Sequence, residues 1–150
     1  MGLWQARHNF DVVTVKWNGD MEFVAHAPSG NTFVMDAYPE EGKESKGPTP
    51  VEALLSSIAA CSAMDVIGIL AKKRQKVTGY RVEVEGERIP PGQWPRPFLS
   101  ITVRHVVKGE NVDPAAVARA IELTDEKYCS VIATLRQAPK IESVWHIEQE

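Results

Sequence analysis

The sequence predicts an α+β fold with antiparallel sheets, and three observations carry that prediction. Short alternating segments are separated by turn signals. One long apolar helix interrupts them. The element order then reads β-β-β-α-β-β-α-α-β, which is not the strict alternation of a parallel sheet. At 150 residues, 43% hydrophobic and 25% charged, the chain has the length and composition of one globular domain, residues 1–150.

Phe10 to Trp17 alternates and is rich in Val and Thr, so it reads as a strand. Asn18-Gly19-Asp20 is a turn, and Met21 to Ala27 a second strand, giving a hairpin. After Pro28-Ser29-Gly30-Asn31 comes a third strand, Thr32 to Ala37. Tyr38 to Pro48 is polar, contains Gly42 and Gly47, and reads as a loop. Thr49-Pro50-Val51-Glu52 is a helix start: Thr49 as N-cap, Pro50 at the first helical position, Glu52 closing a capping box. The helix is expected to reach about Lys73. Tyr80 to Glu87 alternates Val with charge, Ile89 to Pro97 is a Pro-rich loop, and Phe98 to Val107 is the next strand. Asp113-Pro114 opens a second helix to about Lys127. Tyr128 to Arg136 continues it or forms a separate helix, and Ile141 to Ile147 is a last strand.

The long helix carries Val51, Leu54, Leu55, Ile58, Met64, Val66, Ile67, Ile69 and Leu70 around most of its circumference. A helix that is apolar nearly all round must be covered nearly all round. One sheet face covers one side, so a second helix or a partner subunit is needed. Ala53 to Ala71, 19 residues, approaches membrane-spanning length. However, Ser56, Ser57 and Ser62 interrupt it, and Asp65 near its centre would cost about 2.5–3.5 kcal/mol to insert. It is therefore expected to be a buried helix, with no membrane partner.

A net charge of −3 argues against nucleic-acid binding, which needs a basic face for phosphate. Lys72-Lys73-Arg74 suits a solvated helix end. Met1 to Phe10 has no apolar run before a cleavage site, and Ala6 stands where a myristoylation signal has Ser or Thr. The expected location is cytoplasmic. There, two cysteines point more often to catalysis, redox sensing or metal than to a structural disulfide. Neither lies in a Cys-x-x-Cys pair, and the four histidines show no ligand spacing, so no metal or other cofactor is expected.

Cys61 lies in the apolar helix and Cys129 at the opening of another apolar segment. From residue types alone they are either two small core hydrophobes or one redox site. A helix N-terminus would help Cys129 ionise. Asp65, four residues after Cys61 on the same face, would oppose ionisation of Cys61. Asp65 itself is expected to be paired or hydrogen-bonded, the alternative being a carboxylate that faces a cavity with a role in a site. The four histidines and four tryptophans are expected to be surface or packing residues.

Gly47-Pro48-Thr49-Pro50-Val51-Glu52-Ala53-Leu54-Leu55, Ala59-Ala60-Cys61-Ser62-Ala63-Met64-Asp65 and Glu126-Lys127-Tyr128-Cys129-Ser130-Val131 together resemble the OsmC/Ohr family of osmotically inducible and organic hydroperoxide resistance proteins. The pattern is nearest to its YhfA-like branch. The resemblance implies an OsmC-like intertwined homodimer, with antiparallel sheets wrapped around long central helices. It also implies a thiol-dependent peroxidase for organic hydroperoxides. Cys61 would be oxidised to a sulfenic acid and Cys129 would resolve it to a disulfide. A dithiol, in this family often a lipoylated protein, would reduce the pair. The alternative on the same scaffold is a small-molecule-binding or redox-sensing protein without turnover. Another thiol reaction, such as disulfide exchange, is a third reading.

Two departures stand beside the resemblance. Well-characterised peroxidases of the family have Glu directly after the Pro at the helix start. This chain has Val51 there, ten residues before Cys61, and Glu52 is one residue late. Those enzymes also place an Arg near the thiolate, yet no Arg occurs from Phe10 to Val51. Arg7, Lys43 and Lys46 are the nearby cations.

Overall fold

The computed structural model describes residues 12–148, which form two compact units dividing in sequence between Leu54 and Leu55. The first unit is an antiparallel meander of β1 (Thr14–Trp17), β2 (Phe23–His26) and β3 (Thr32–Met35), in the order β1-β2-β3. The two turns fall at Gly19-Asp20 and Gly30, all with positive φ, as the turn signals predict. The strands are shorter than their sequence segments. Phe10 and Asp11, the expected start of the first strand, lie outside the described residues.

The loop after β3 is held by its polar groups. The Asp36 carboxylate accepts the backbone N–H groups of Lys46 and Ala37, which hold its pKa below the ordinary carboxylate value. Gly47 passes so close to β3 that a Cβ there would collide with the Val34 carbonyl. Lys46 reaches Glu22 at 2.7 Å. Glu22 is a buried carboxylate, and this bond together with the Asn18 amide lowers its pKa. Thr49 N–H donates to Glu52 Oε2 at 2.8 Å while Glu52 N–H donates to Thr49 Oγ1 at 3.2 Å. The capping box read from the sequence is therefore closed.

α1 (Pro50–Lys72) runs on into the second unit. By length and composition alone it could cross a membrane, but Ile58, Ser62, Val66 and Leu70, spaced four apart, form a stripe buried within the fold. It ends with Arg74 in the left-handed region at φ 56°. The Gln75 N–H bonds back to the Leu70 carbonyl and the Arg74 N–H to the Ala71 carbonyl, the Schellman pattern with Arg in place of Gly.

The hairpin of β4 (Lys76–Arg88) and β5 (Phe98–Glu110) follows, each strand 13 residues. Both extend beyond their sequence reading. A bulge between Val77 and Gly79 puts Val77 and Tyr80 on the same face, which breaks the alternation used to place the strand's start. α2 (Pro114–Leu123) starts as predicted: Asp113 Oδ1 accepts the Ala115 N–H at 2.9 Å, with Pro114 at N1. It does not run as α-helix to Lys127. Thr124–Tyr128 widens into a π-turn, closed by Cys129 N–H to the Thr124 carbonyl at 2.9 Å. α3 (Ser130–Gln137) is then a separate helix.

The last expected strand, Ile141 to Ile147, is not a strand. It has no ladder partner among the described residues, and Ile141, Val144, Trp145 and Ile147 are all exposed. Alternation makes a segment fit for a sheet, but a strand exists only where an edge accepts it.

Two apolar clusters fill the second unit. Val66 and Leu70 pack with Ala116 and Ala120 of α2 and with Val77, Tyr80 and Val107 of the hairpin. Ile58 packs with Cys129 and Ile132, together with Cys61, Val84, Ile101 and Val103.

Candidate functional site: a thiol pair in an apolar cluster

The two cysteines, 68 positions apart in sequence (129 − 61), belong to one cluster. α1 supplies Cys61 from the flank of its buried stripe, where the thiol is partly exposed. Cys129 is 2% exposed. The π-turn presents it: the wide turn ends at residue 128, and Cys129 takes an extended conformation as the N-cap of α3. No disulfide joins the two cysteines. Cys61 packs against the cluster that holds Cys129, and Cys129 caps α3 without a side-chain hydrogen bond.

Burial raises the Cys129 pKa above its ordinary value and the neighbouring Cys61 raises it further, partly offset by the backbone N–H groups of Ile132 and Val131.

Beside the cluster lies a groove of about 450 Å³. Ile58, Ile101, Val103 and Ile132 are shared between the two, so an apolar molecule in the groove lies against the walls of the thiol cluster. Phe98, Leu99 and Leu135 extend the apolar lining, and Ser100, Asp125 and Arg136 add polar groups. Arg136 donates to the Asp125 backbone carbonyl at 2.9 Å.

Asp65 does not conform to expectation. No hydrogen bond or ion pair holds its carboxylate among the described residues, and burial alone raises its pKa. Lys46 is engaged by Glu22, and burial lowers its pKa less than that partner raises it. Glu52 is committed to the helix cap, where the Thr49 backbone N–H lowers its pKa. Arg7 lies outside the described residues. No group of three or more metal-ligating side chains occurs among the described residues.

A polar trio was not singled out from the sequence. Tyr80 Oη lies 2.6 Å from His105 Nδ1, and Ser62 Oγ lies 3.4 Å from His105 Nε2. Burial pushes Tyr80 up to about 12 and lowers His105, the latter effect partly offset by the charge of Asp125. With Tyr80 donating to Nδ1, the neutral ring carries its proton on Nε2, facing Ser62. Ser62 is wholly buried and directly follows Cys61. Its spacing of four from both Ile58 and Val66 could have placed it on the buried stripe. His105 likewise alternates in phase with Val103 and Val107. Thr124 Oγ1 is also buried and has no partner among the described residues.

The fold and the two-cysteine arrangement define a class, and sequence comparison agrees with it. Residues 42–144 match the profile of OsmC-like proteins. The Escherichia coli protein YhfA is 39% identical over 127 residues, 85% of this chain and 90% of that protein. The chain belongs to the OsmC-like family. A hypothetical protein from Aquifex aeolicus has a similar structure, with a TM-score of 0.73 and 29% identity, covering 95% of this chain and 99% of that one. An organic hydroperoxide resistance protein OsmC from Legionella pneumophila shares the fold at a TM-score of 0.60 and 14% identity, covering 87% and 92%.

Proposed function

We propose that this chain is a thiol-dependent peroxidase that reduces organic hydroperoxides, acting as a homodimer in the cytoplasm with its 150 residues as one domain. The observation that carries this reading is the contact between Cys61 and Cys129 in one apolar cluster beside an apolar groove. In the reaction, the Cys61 thiolate attacks the outer peroxide oxygen and the O–O bond breaks. The alkoxide leaves, takes up a proton and becomes an alcohol, while Cys61 becomes a sulfenic acid. The Cys129 sulfur then attacks the Cys61 sulfur, forming a disulfide and releasing water. A dithiol reductant, for which a lipoylated protein is the family's usual form, returns two electrons and two protons. The named hydroperoxide resistance protein of Legionella pneumophila shares this fold.

The test is thiol loss from the reduced protein after one equivalent of cumene hydroperoxide. Loss of two thiols per chain, with a Cys61–Cys129 disulfide found by mass spectrometry, is the expected result. No reaction within minutes would defeat the reading. Cys61→Ser is expected to abolish peroxide consumption, and Cys129→Ser to leave a single stoichiometric oxidation of Cys61. Turnover that survives in Cys61→Ser would reverse the two roles.

A second reading is a small-molecule-binding or redox-sensing protein on the same scaffold. The ionisable groups near the thiols favour it. Burial raises Cys129, and a carboxylate without a partner among the described residues sits one helical turn from Cys61. On this reading the groove binds a ligand and the thiols oxidise without catalytic turnover.

A further inference from the structure

We propose that His105, held by Tyr80, is a positioning residue for the thiol pair: through Ser62 it fixes the register of α1 on the β4–β5 hairpin, and with it the place of Cys61 relative to Cys129. The inference rests on the Cys61–Cys129 disulfide of the peroxidase reading and adds what holds one of its two sulfurs in place.

The polar trio lies at the junction of the two apolar clusters. On α1, Ser62 stands four residues from Ile58 of one cluster and four from Val66 of the other. On β5, His105 falls between Val103, which packs with Ile58, and Val107, which packs with Val66. On β4, Tyr80 belongs to the Val66 cluster and Val84 to the Ile58 cluster. Polar groups therefore interrupt what would otherwise be one continuous apolar layer. Such an interruption is costly unless its members bond one another.

They bond in one arrangement. Tyr80 pairs with Val107 and His105 with Val82, so the two rings are diagonal neighbours on the hairpin. They stack with centroids 6.0 Å apart and planes within 12°. Burial pushes Tyr80 up to about 12, so its hydroxyl stays protonated, and burial favours the neutral His105 ring against the charge of Asp125. Tyr80 donates to Nδ1 at 2.6 Å, which leaves the ring proton on Nε2, 3.4 Å from the Ser62 oxygen. Ser62 is wholly buried, so no water replaces that partner if it is lost.

These bonds are directional where the contacts around them are not. Ile58, Val66 and Leu70 sit in apolar packing, which accepts changes of shape by repacking. A slip of α1 by one residue would move it about 1.5 Å along its axis and turn its side chains by about 100°. Ser62 would leave His105, and the Nε2 proton would be stranded in an apolar interior. Cys61 directly precedes Ser62 in the same helix, so the bond that fixes Ser62 also fixes Cys61. Cys129 is carried by a different element, as the cap of α3. A disulfide closes only over a Cβ separation of about 3.5–4.5 Å, so the register of α1 decides whether the two sulfurs can join.

The test is the disulfide equilibrium of the whole chain in glutathione buffers, read by maleimide labelling and peptide mass spectrometry. It needs no hydroperoxide. His105→Leu removes both bonds and is expected to lower the equilibrium constant for the Cys61–Cys129 disulfide by roughly tenfold or more. His105→Gln, whose amide accepts from Tyr80 and donates to Ser62, is expected to recover most of that loss. Ser62→Ala removes the acceptor with little change of volume, and its disulfide is expected to weaken in the same direction. Circular dichroism identifies the folded variants; if His105→Leu does not fold, Ser62→Ala decides. An unchanged equilibrium in a folded His105→Leu or Ser62→Ala variant would overturn the proposal. So would a His105→Gln variant no better than His105→Leu, or a wild-type chain that forms no such disulfide. Inactivity toward hydroperoxides combined with the expected shifts would defeat the peroxidase reading and leave the positioning role standing.

Discussion

At the residue scale, Asp65 and His105 mark where burial works against charge. The Asp65 carboxyl is raised by desolvation, so folding favours its protonated form. A carboxyl with a raised folded pKa contributes stability below its unfolded pKa and loses it as pH rises through the folded one. Asp65→Asn is therefore expected to stabilise the protein at pH 7, with the gain vanishing below about pH 3.8. Denaturant midpoints across that range measure it, and no gain at neutral pH would show that the charge is neutralised. His105 has the opposite sign: its lowered pKa favours the neutral ring, so stability falls as pH drops below 6.5. His105→Gln should flatten that part of the profile. The cysteines were legible in the sequence because their type narrows the chemistry. Ser62, Tyr80 and His105 were not, because three positions far apart in the chain declare nothing until the hairpin register sets Tyr80 diagonal to His105.

At the scale of elements, the ends of α1 make opposite predictions. Thr49 and Glu52 exchange hydrogen bonds at the start, so Thr49→Ala should cost about 1 kcal/mol. At the other end Arg74 holds a left-handed conformation that costs a side chain roughly 1 kcal/mol or more, so Arg74→Gly should stabilise by about that amount. Equilibrium denaturation measures both changes. The start was readable because a capping box is written in four consecutive residues. The end was readable only to within a residue, since the basic run gave polarity and no backbone angle. The π-turn was not readable at all. Thr124–Tyr128 has a composition that continues a helix, and the widened turn is visible only in the bond from Cys129 to Thr124. Its consequence reaches the site, because it makes Cys129 a helix cap where a continuous helix would have placed it mid-helix.

At the scale of the molecule, the sequence demanded more cover for α1 than the described residues of one chain supply. Ile58, Ser62, Val66 and Leu70 are buried, but Leu54 and Ile67 are exposed, and Met64 is 72% exposed on the side opposite the buried stripe. The alternation of Ile141 to Ile147 was legible as an amphipathic pattern, yet Trp145 remains 84% exposed. A second copy of the chain is the reading that gives these surfaces a place, and Met64 tests it. In a monomer, glutamate at an exposed helical position changes stability little, since its helix propensity is close to that of Met. In a dimer that buries this face, the same carboxylate must be desolvated without a partner. Met64→Glu is therefore expected to leave the helical circular dichroism unchanged and to weaken self-association by roughly 100-fold, about 3 kcal/mol. Sedimentation velocity at micromolar concentration separates the outcomes. A wild-type dimer and a folded Met64→Glu monomer would place the interface on this helix. A wild-type monomer would remove the dimer altogether, and a variant as dimeric as wild type would move the interface elsewhere.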